Sequence, residues 1–361
     1  MKKIVFGITD LEIGGAEKVL VDIVNRLKDE YEITIFTIYG KGTLETSVNP
    51  NINIISITNK SFSCIHPFKK KLYSLLFSFD FLLKFAYEKH IKDKFDTEVA
   101  FLEGPITSLF AVKNKDVRKI AWVHTNLSKH VTNPIRKAQY QKDYQSYEQV
   151  IFCSSDALNG FEKTYKVNNT RVVYNYLDTI NIIKKSVEPI TEVFDEYTPN
   201  FVSVCRLVKP KALDRLIRVS KRLKDKNLHH RIYIVGEGEE RNNLEELIKL
   251  NNLQDTFILL GQRDNPYPYM KAANYFLLTS EYEGYGMVLV EAMMLNKDIM
   301  ITNTGATEAV NGYGHSLVVE NNEDAIYEGM KALITKKHHF SDKIELSYNP
   351  DQIIEEIKSI L

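Results

Sequence analysis

Two glutamates eight positions apart, Glu283 and Glu291, carry the strongest chemical signal in this chain of 361 residues. Glu283 lies in a loop after an apolar run, and Glu291 is the one acidic position in an apolar segment from 286 to 295. That segment predicts a buried helix, and a buried carboxylate needs hydrogen-bond donors. The two neighbouring hydroxyl groups of a ribose are suitable donors. An internal salt bridge between Glu291 and Lys211 is the alternative interpretation.

Positively charged groups near this helix suggest a phosphate site. The backbone N–H groups of Gly286, Met287 and Val288 stand at the predicted helix start, where they have no partner within the helix. Arg206 ends a predicted strand and Lys211 opens the next helix, so both cations are predicted at the carboxyl edge of a sheet. Together they would clamp a diphosphate. A solvated pair neutralised by nearby acidic residues explains the same charges as an alternative.

Two glycine-containing turns follow predicted strands. Gly14 and Gly15 join the first strand to a helix, and Gly236 to Gly238 follow the strand at 231–235. Glycine lets backbone amides approach an anion closely, and it equally allows a helix to pack tightly on a sheet. Both interpretations stay open for these turns. Because neither turn has the GxGxxG pattern, a nicotinamide-dependent enzyme is disfavoured.

Apolar, β-rich runs alternate with helical patterns along most of the chain, which is typical of βαβ units around parallel sheets. The predicted strands lie near residues 2–8, 32–38, 52–57, 97–102, 119–123, 149–153, 171–174, 200–205, 231–235, 256–260, 275–279, 298–302 and 316–319. The fold class is therefore α/β, with two doubly wound, Rossmann-like domains that face a cleft.

The domain boundary is predicted between Asp178 and Pro199, because residues 179–189 show neither helical capping nor strand alternation. This places one domain at 1–180 and the other at 181–345. A last helix is predicted within 346–361, and it can pack back on the N-terminal domain.

Composition excludes several classes of protein. Lysine and arginine number 47, as do aspartate and glutamate, which argues against a nucleic-acid binder. The three cysteines, Cys64, Cys153 and Cys205, are far apart, so they predict neither a disulfide framework nor a zinc site and indicate a reducing, cytoplasmic setting. The N-terminal apolar run is too short for a signal peptide, and no stretch reaches the roughly 20 apolar residues of a membrane span. The sequence contains no Asp-x-Asp motif that would predict a site for a divalent metal ion.

Residues 60–95 differ from the rest of the chain. Eight lysines stand among three acidic residues and nine phenylalanine or tyrosine residues. A helix over 67–94 would be about 40 Å long at 1.5 Å per residue. The composition of this segment predicts one of two things. The first is an interfacial helix on an anionic membrane surface, in which case the acceptor would be lipid-linked. The second is a core helix with its lysines toward solvent.

The Glu283–Glu291 pair, with seven residues between, resembles the EX7E element of retaining GT-B glycosyltransferases of family 4, also called group 1. Other segments resemble motifs of that family in the same order. They are Gly14–Glu17 (GGAE), Val204–Leu207 with Lys211 (GRLxxxKG), Ile234–Gly238 (VGDGP) and Asn265–Met270 (an NPxPYIK-like segment). Cys205 and Ala212 stand where the family pattern has glycine.

The resemblance implies a GT-B fold in which residues 1–180 form the acceptor-side domain and 181–345 bind the nucleotide sugar. It implies that Arg206 and Lys211 bind the donor diphosphate and that Glu291 binds the ribose. The predicted donor-binding residues are Gly15, Arg206, Lys211, Gly236, Glu283, Gly286, Met287, Val288 and Glu291. The predicted catalytic residues are Glu283, His124, Arg206 and Lys211, with His124 matching the family histidine that faces the donor sugar.

The implied activity is retaining transfer of a hexose or N-acetylhexosamine from a nucleotide sugar, with a UDP-sugar favoured, to a glycan acceptor. The implied context is bacterial surface polysaccharide or glycoconjugate biosynthesis, on the inner face of the plasma membrane if residues 60–95 bind lipid. No cofactor or metal is expected, because cations and helix amides would stabilise the leaving diphosphate. The leaving phosphate itself is expected to help deprotonate the acceptor. Two alternatives stay open: a non-catalytic GT-B subunit that binds glycan or a partner, and a sugar-nucleotide epimerase.

Overall fold

The structure is a computed structural model that describes residues 1–61, 64, 80–112, 116–192, 194–195, 197–341 and 348–361. The chain forms two compact units. The first comprises Met1–Leu177 and Pro350–Leu361, and the second comprises Asp178–Asn349. Within the described residues, each unit has its own parallel β-sheet, of seven strands in the first and six in the second.

The strands of the described residues coincide with the predicted ones, and their ends differ by at most two residues. They are β1 (Lys3–Ile8), β2 (Glu32–Tyr39), β3 (Asn53–Thr58), β4 (Thr97–Ala100), β5 (Arg118–Val123), β6 (Gln149–Phe152), β7 (Thr170–Val172), β8 (Asn200–Val204), β9 (Arg231–Val235), β10 (Phe257–Gly261), β11 (Tyr275–Leu278), β12 (Asp298–Thr302) and β13 (Ser316–Val319).

Helices connect these strands. In the first unit they are α1 (Gly15–Leu27), α2 (Asp80–His90), α3 (Pro105–Phe110), α4 (Leu127–His130), α5 (Pro134–Tyr144), α6 (Ser155–Glu162) and, after the second unit, α13 (Pro350–Ile360). In the second unit they are α7 (Thr179–Lys185), α8 (Leu213–Asp225), α9 (Arg241–Leu250), α10 (Tyr267–Ala272), α11 (Met287–Met294) and α12 (Glu323–Ile334). Within the described ranges, none of them is long and apolar enough to cross a membrane.

Both sheets are doubly wound. The strand order is β3-β2-β1-β4-β5-β6-β7 in the first unit and β10-β9-β8-β11-β12-β13 in the second. The order reverses between β1 and β4 and between β8 and β11, and open α/β sheets bind ligands beyond the carboxyl ends of the strands at such a switch point. The predicted α/β class with two doubly wound sheets is confirmed.

A buried ion pair lies at the opposite, amino-terminal edge of the first sheet. Lys119 at the start of β5 lies 3.1 Å from a carboxylate oxygen of Glu98 in β4, and the two side chains are 5% and 1% exposed. Tyr87 of α2 donates a hydrogen bond to the same carboxylate, and Lys119 donates to the carbonyl of Phe110 at 2.7 Å. These contacts attach α2 and α3 to the edge of the sheet. Burial lowers the pKa of Lys119, and the Glu98 carboxylate opposes that shift.

The prediction that residues 179–189 lack a capped helix is wrong. Residues Thr179–Lys185 form α7, and the side chain of Asp178 caps it by accepting a hydrogen bond from the backbone N–H of Asn181 at 3.0 Å. The apolar residues of α7 give no helical stripe, because Ile182 is buried while Ile180 and Ile183 are exposed. The helix depends instead on its cap and on packing against α10 and α11.

Only part of the segment at 60–95 is described: residues 62–63 and 65–79, which include 67–79 of the predicted helix, lie outside the described residues. Its last part forms α2, which buries Leu83 and Tyr87 in the core of the first unit. The side chain of Phe85 is 64% exposed on another face of the same helix. The described part of this segment is therefore a core helix on one face, with an apolar residue toward solvent on another.

Candidate active site

The loops that follow β8 and β11 meet at the switch point of the second sheet. These strands are parallel neighbours, with Tyr275 opposite Phe201, so the two loops leave the same edge. The backbone N–H of Glu281 donates a hydrogen bond to the carbonyl of Pro210 at 2.9 Å. The cation loop is the loop after β8, at 205–212, which carries Arg206 and Lys211. The glutamate loop is the loop after β11, at 279–286, which carries Glu283. The bond from Glu281 to Pro210 holds these two loops together.

Lys211 and Glu283 form an ion pair across these two loops. Both side chains are 18% exposed, so their interaction is less screened by water than that of a surface pair. Arg206 lies on the same loop as Lys211 and is exposed, and within the described part of the chain its guanidinium has no hydrogen bond or ion pair. The site thus combines one cation paired with a carboxylate and one that is available to an anion.

The start of α11 adjoins Glu283. Gly286 precedes the helix with φ +72° and ψ +66°, a left-handed conformation that favours glycine. A Cβ atom added to Gly286 would lie 3.4 Å from Cγ of Glu283, so the two residues are close together. The N–H groups of the first turn, at Met287 and Val288, carry the positive end of the helix dipole. The start of α11 is therefore suited to bind an anion.

Glu291 is buried on α11, with 7% of its surface exposed. The hydroxyl of Tyr267, at the start of α10, donates a hydrogen bond to one of its carboxylate oxygens at 3.2 Å. Tyr267 was not among the predicted site residues, although it belongs to the NPYPYM segment. Its hydroxyl provides one of the donors that a buried carboxylate requires.

Gly236 is required by packing. A Cβ atom at this position would lie 1.9 Å from the carbonyl oxygen of Cys205, and one at Gly238 would lie 2.3 Å from that of Leu207. The backbone N–H of Leu207 also donates to the carbonyl of Glu237 at 2.9 Å. These contacts support the packing interpretation of this turn, whereas contact between Gly236 and a donor stays a prediction.

Gly15 and His124 belong to the first unit, and the role predicted for them at the donor stays a prediction. Gly15 begins α1, and a Cβ atom there would meet no described atom within 4 Å. His124 follows β5, and its backbone N–H donates to Glu103 at 3.0 Å. Burial lowers the pKa of His124 to about 4, despite the opposing effects of Glu103 and a backbone hydrogen bond at Phe101. The imidazole is therefore neutral at neutral pH.

Ala212 occupies a position that suits glycine. Its backbone has φ +51° and ψ +39°, and it connects the Lys209–Lys211 turn to α8. A left-handed alanine costs about 1–2 kcal/mol, while glycine loses more backbone entropy on folding. We therefore expect Ala212→Gly to leave the free energy of unfolding unchanged or to raise it by up to about 1 kcal/mol.

Urea denaturation measures this change, with Ala332→Gly inside α12 as the matched control. In an ordinary helical position that substitution is expected to cost about 1 kcal/mol. Equal destabilisation by the two glycine variants would show that the left-handed backbone of Ala212 carries no such cost.

Arg215 and Asn321, whose side chains donate to backbone carbonyls of the glutamate loop, were also not among the predicted site residues. Arg215 of α8 donates to the carbonyl of Thr279 at 2.7 Å, and Asn321 donates to the carbonyl of Glu281 at 2.9 Å. A signal for Arg215 exists in the sequence, since it lies four residues before Val219 and eight before Leu223, both buried on α8. A charged residue on the apolar stripe of a helix needs partners.

Comparison with known proteins agrees with this architecture. Residues 13–180 match the family described as Glycosyltransferase Family 4, and residues 187–356 match the family described as Glycosyl transferases group 1. The fold is similar to that of HepE from Anabaena, crystallised with UDP and glucose, with a TM-score of 0.76, 19% identity and 99% of each chain covered.

Two relatives of known name align with nearly the whole chain. One is N-acetylgalactosamine-N,N'-diacetylbacillosaminyl-diphospho-undecaprenol 4-alpha-N-acetylgalactosaminyltransferase of Campylobacter jejuni, 26% identical over 96% of this chain and 93% of the relative. Another is the capsular polysaccharide biosynthesis glycosyltransferase CapH of Staphylococcus aureus, 26% identical over 100% of this chain and 98% of the relative. With the two family matches, which together extend over both units, these similarities show that the chain belongs to the group 1, family 4 glycosyltransferases and has the GT-B fold.

Proposed function

We propose that this glycosyltransferase transfers a hexose or N-acetylhexosamine from a UDP-sugar to a lipid-linked glycan, with retention of the anomeric configuration. The observation that carries the proposal is the Lys211–Glu283 pair beside the start of α11, at the switch point of the second sheet. This arrangement concentrates positive charge where a diphosphate would sit and places a carboxylate next to it. Bacterial surface polysaccharide or glycoconjugate biosynthesis is the context that we propose.

Each residue would have a distinct task in the transfer. The diphosphate would be bound by Arg206, by Lys211 and by the amides that begin α11, which together stabilise the negative charge that develops on the leaving group. Glu283 would face the transferred sugar, whose anomeric centre becomes positively charged in the transition state. Glu291 would accept hydrogen bonds from the ribose hydroxyls.

The choice of donor and acceptor draws on related proteins. HepE is described in complex with UDP and with UDP-glucose. The Campylobacter relative is named for a transfer of N-acetylgalactosamine onto a saccharide attached to diphospho-undecaprenol. We extend these two features to this chain as a UDP-sugar donor and a polyprenyl-diphosphate-linked glycan acceptor.

We also propose that the transfer needs no metal, because Arg206, Lys211 and the amides that begin α11 supply the positive charge. In the described ranges, no group of three His, Cys, Asp or Glu side chains is arranged to hold a metal ion. Turnover is therefore expected to survive EDTA. Loss of turnover in EDTA that added magnesium or manganese restores would contradict this part of the proposal.

A donor panel tests the activity. The purified protein is incubated with UDP-, GDP- and ADP-sugars, with and without a polyprenyl-diphosphate glycan, and nucleoside diphosphate release is measured. We expect UDP release that the acceptor accelerates, and a glycosidic product whose anomeric configuration by NMR equals that of the donor. An epimerase would change the sugar without releasing UDP, and a non-catalytic subunit would bind without turnover; either result contradicts the proposal.

Peripheral membrane binding through residues 60–95, on the cytoplasmic face of the plasma membrane, is part of the same proposal. On α2, the exposed Phe85 has lysine neighbours at Lys84, which pairs with Glu88, and at Lys89. Such a combination suits an anionic lipid surface. Flotation with phosphatidylglycerol vesicles is expected to recover the protein, and neutral phosphatidylcholine vesicles serve as the control. Failure of a folded sample to float with anionic vesicles would contradict membrane binding.

A further inference from the structure

Three consecutive backbone carbonyls, at residues 279–281, begin the glutamate loop, and each accepts a hydrogen bond from a side chain of a different element. The carbonyl of Thr279 accepts from Nη2 of Arg215 at 2.7 Å, and that of Ser280 accepts from Oγ1 of Thr302 at 2.8 Å. The carbonyl of Glu281 accepts from Nδ2 of Asn321 at 2.9 Å. The donors come from α8, from β12 and from the loop between β13 and α12.

Arg215 and Asn321 are also bonded to each other. Nη2 of Arg215 donates to the side-chain Oδ1 of Asn321 at 2.8 Å, and Nη1 of Arg215 donates to the backbone carbonyl of Asn321 at 3.3 Å. Arg215 is only 9% exposed. By contrast, Arg218 binds the half-buried carboxylate of Glu323, and Arg222 binds the exposed carboxylate of Asp324, both on α12. A buried guanidinium is costly unless it is hydrogen-bonded, so Arg215 has a specific task in this structure.

The task follows from where the three carbonyls lie. Glu283 is only two residues beyond Glu281, whose N–H is bonded to Pro210 next to Lys211. Any movement of the backbone at 279–281 would therefore change the distance between Glu283 and the cation loop. A displacement of about 1 Å at a reacting group can cost roughly a hundredfold in rate.

We propose that Arg215, Thr302 and Asn321 form a positioning cluster that sets the location of Glu283 relative to Lys211 and thereby determines the rate of sugar transfer. This inference rests on the proposed function for its kinetic consequence. None of the three side chains needs to contact the substrate, because they act through the backbone that leads to Glu283.

Arg215→Met and Thr302→Val test the cluster, since each removes donors while keeping a similar side-chain volume. Asn321→Asp is more selective, because it keeps the oxygen that accepts from Arg215 and removes the donor to Glu281. For each variant we expect kcat for donor turnover to fall about 10- to 100-fold, with KM for the UDP-sugar within about threefold of wild type. Arg222→Met on the same helix is the matched control and is expected to leave kcat unchanged.

Hydrogen–deuterium exchange gives a second readout that needs no activity. Backbone amides at 281–286 are expected to exchange faster in Arg215→Met than in wild type, while those of β9 keep their wild-type rates. If the wild-type protein turns over no donor, the proposed function fails, and the exchange data still decide whether the cluster holds the loop. The inference would be overturned if the amides at 281–286 of Arg215→Met exchanged at wild-type rates. It would also be overturned if Arg215→Met lowered the melting temperature but kept the wild-type kcat at temperatures where the variant is folded.

Discussion

Replacing Lys211 with alanine is expected to lower kcat/KM for nucleotide-sugar turnover by about 100- to 1,000-fold. The ammonium is one of the preorganised positive groups that would stabilise the leaving diphosphate, and removing one such group typically has an effect of this size. Loss of the ion pair would also release Glu283 from its present position. Steady-state kinetics on the preferred donor measures the effect, and a melting curve shows whether the variant is folded.

Two further substitutions separate charge from position in this prediction. Lys209→Ala removes an exposed lysine from the same short turn, and we expect its kcat/KM to stay within about threefold of wild type. Lys211→Arg keeps the charge but changes its geometry, so partial activity is expected. If Lys211→Ala turned over donor like wild type, or if Lys209→Ala lost as much activity, the assignment of the diphosphate site would be wrong.

The largest stability effect is expected at the buried ion pair of the first unit. Lys119→Met leaves the carboxylate of Glu98 buried without its cation and removes the donor to the carbonyl of Phe110. Breaking a buried pair in this way typically costs about 3–5 kcal/mol. For a unit of this size, the midpoint of thermal unfolding is expected to fall by roughly 6–20 °C, as measured by calorimetry.

The matched control is Lys3→Met, which breaks the exposed pair between Lys3 and Glu32 in the same sheet. Its midpoint is expected to match that of wild type, because solvent screens such a pair. The double variant Glu98→Leu, Lys119→Met is expected to recover part of the lost stability, since it removes the uncompensated charge. A midpoint for Lys119→Met equal to that of wild type would show that the pair does not hold the sheet edge.

Local sequence patterns were sufficient for the strands of both sheets. Apolar runs of five or six residues between glycine or polar positions, rich in β-branched and aromatic residues, predicted the strands, as at Arg231–Val235. The same reasoning missed α7, because a seven-residue helix with isoleucines on several faces gives no periodic signal. A short helix of this kind depends on tertiary packing more than on propensity.

Local sequence predicted some features of the candidate site and left others undecided. Residue type and local spacing predicted that Glu291 would be buried on a helix that begins near Gly286, since an apolar helix must be buried. Whether a glycine serves a ligand or a neighbouring backbone is a different matter. At Gly236 the folded chain supports packing, because the carbonyl oxygen of Cys205 lies where a Cβ atom would be, and contact with a donor stays a prediction.

Contacts across long sequence separations needed the folded chain. Lys211 and Glu283 are 72 residues apart, and Arg215 and Asn321 are 106 apart. Residue type alone cannot assign such partners, because any exposed lysine could pair with any carboxylate. The order of the strands makes the choice: it puts β8 beside β11 and so brings their loops to one edge of the sheet, where a hydrogen bond from Glu281 to Pro210 sets the spacing of the charged groups.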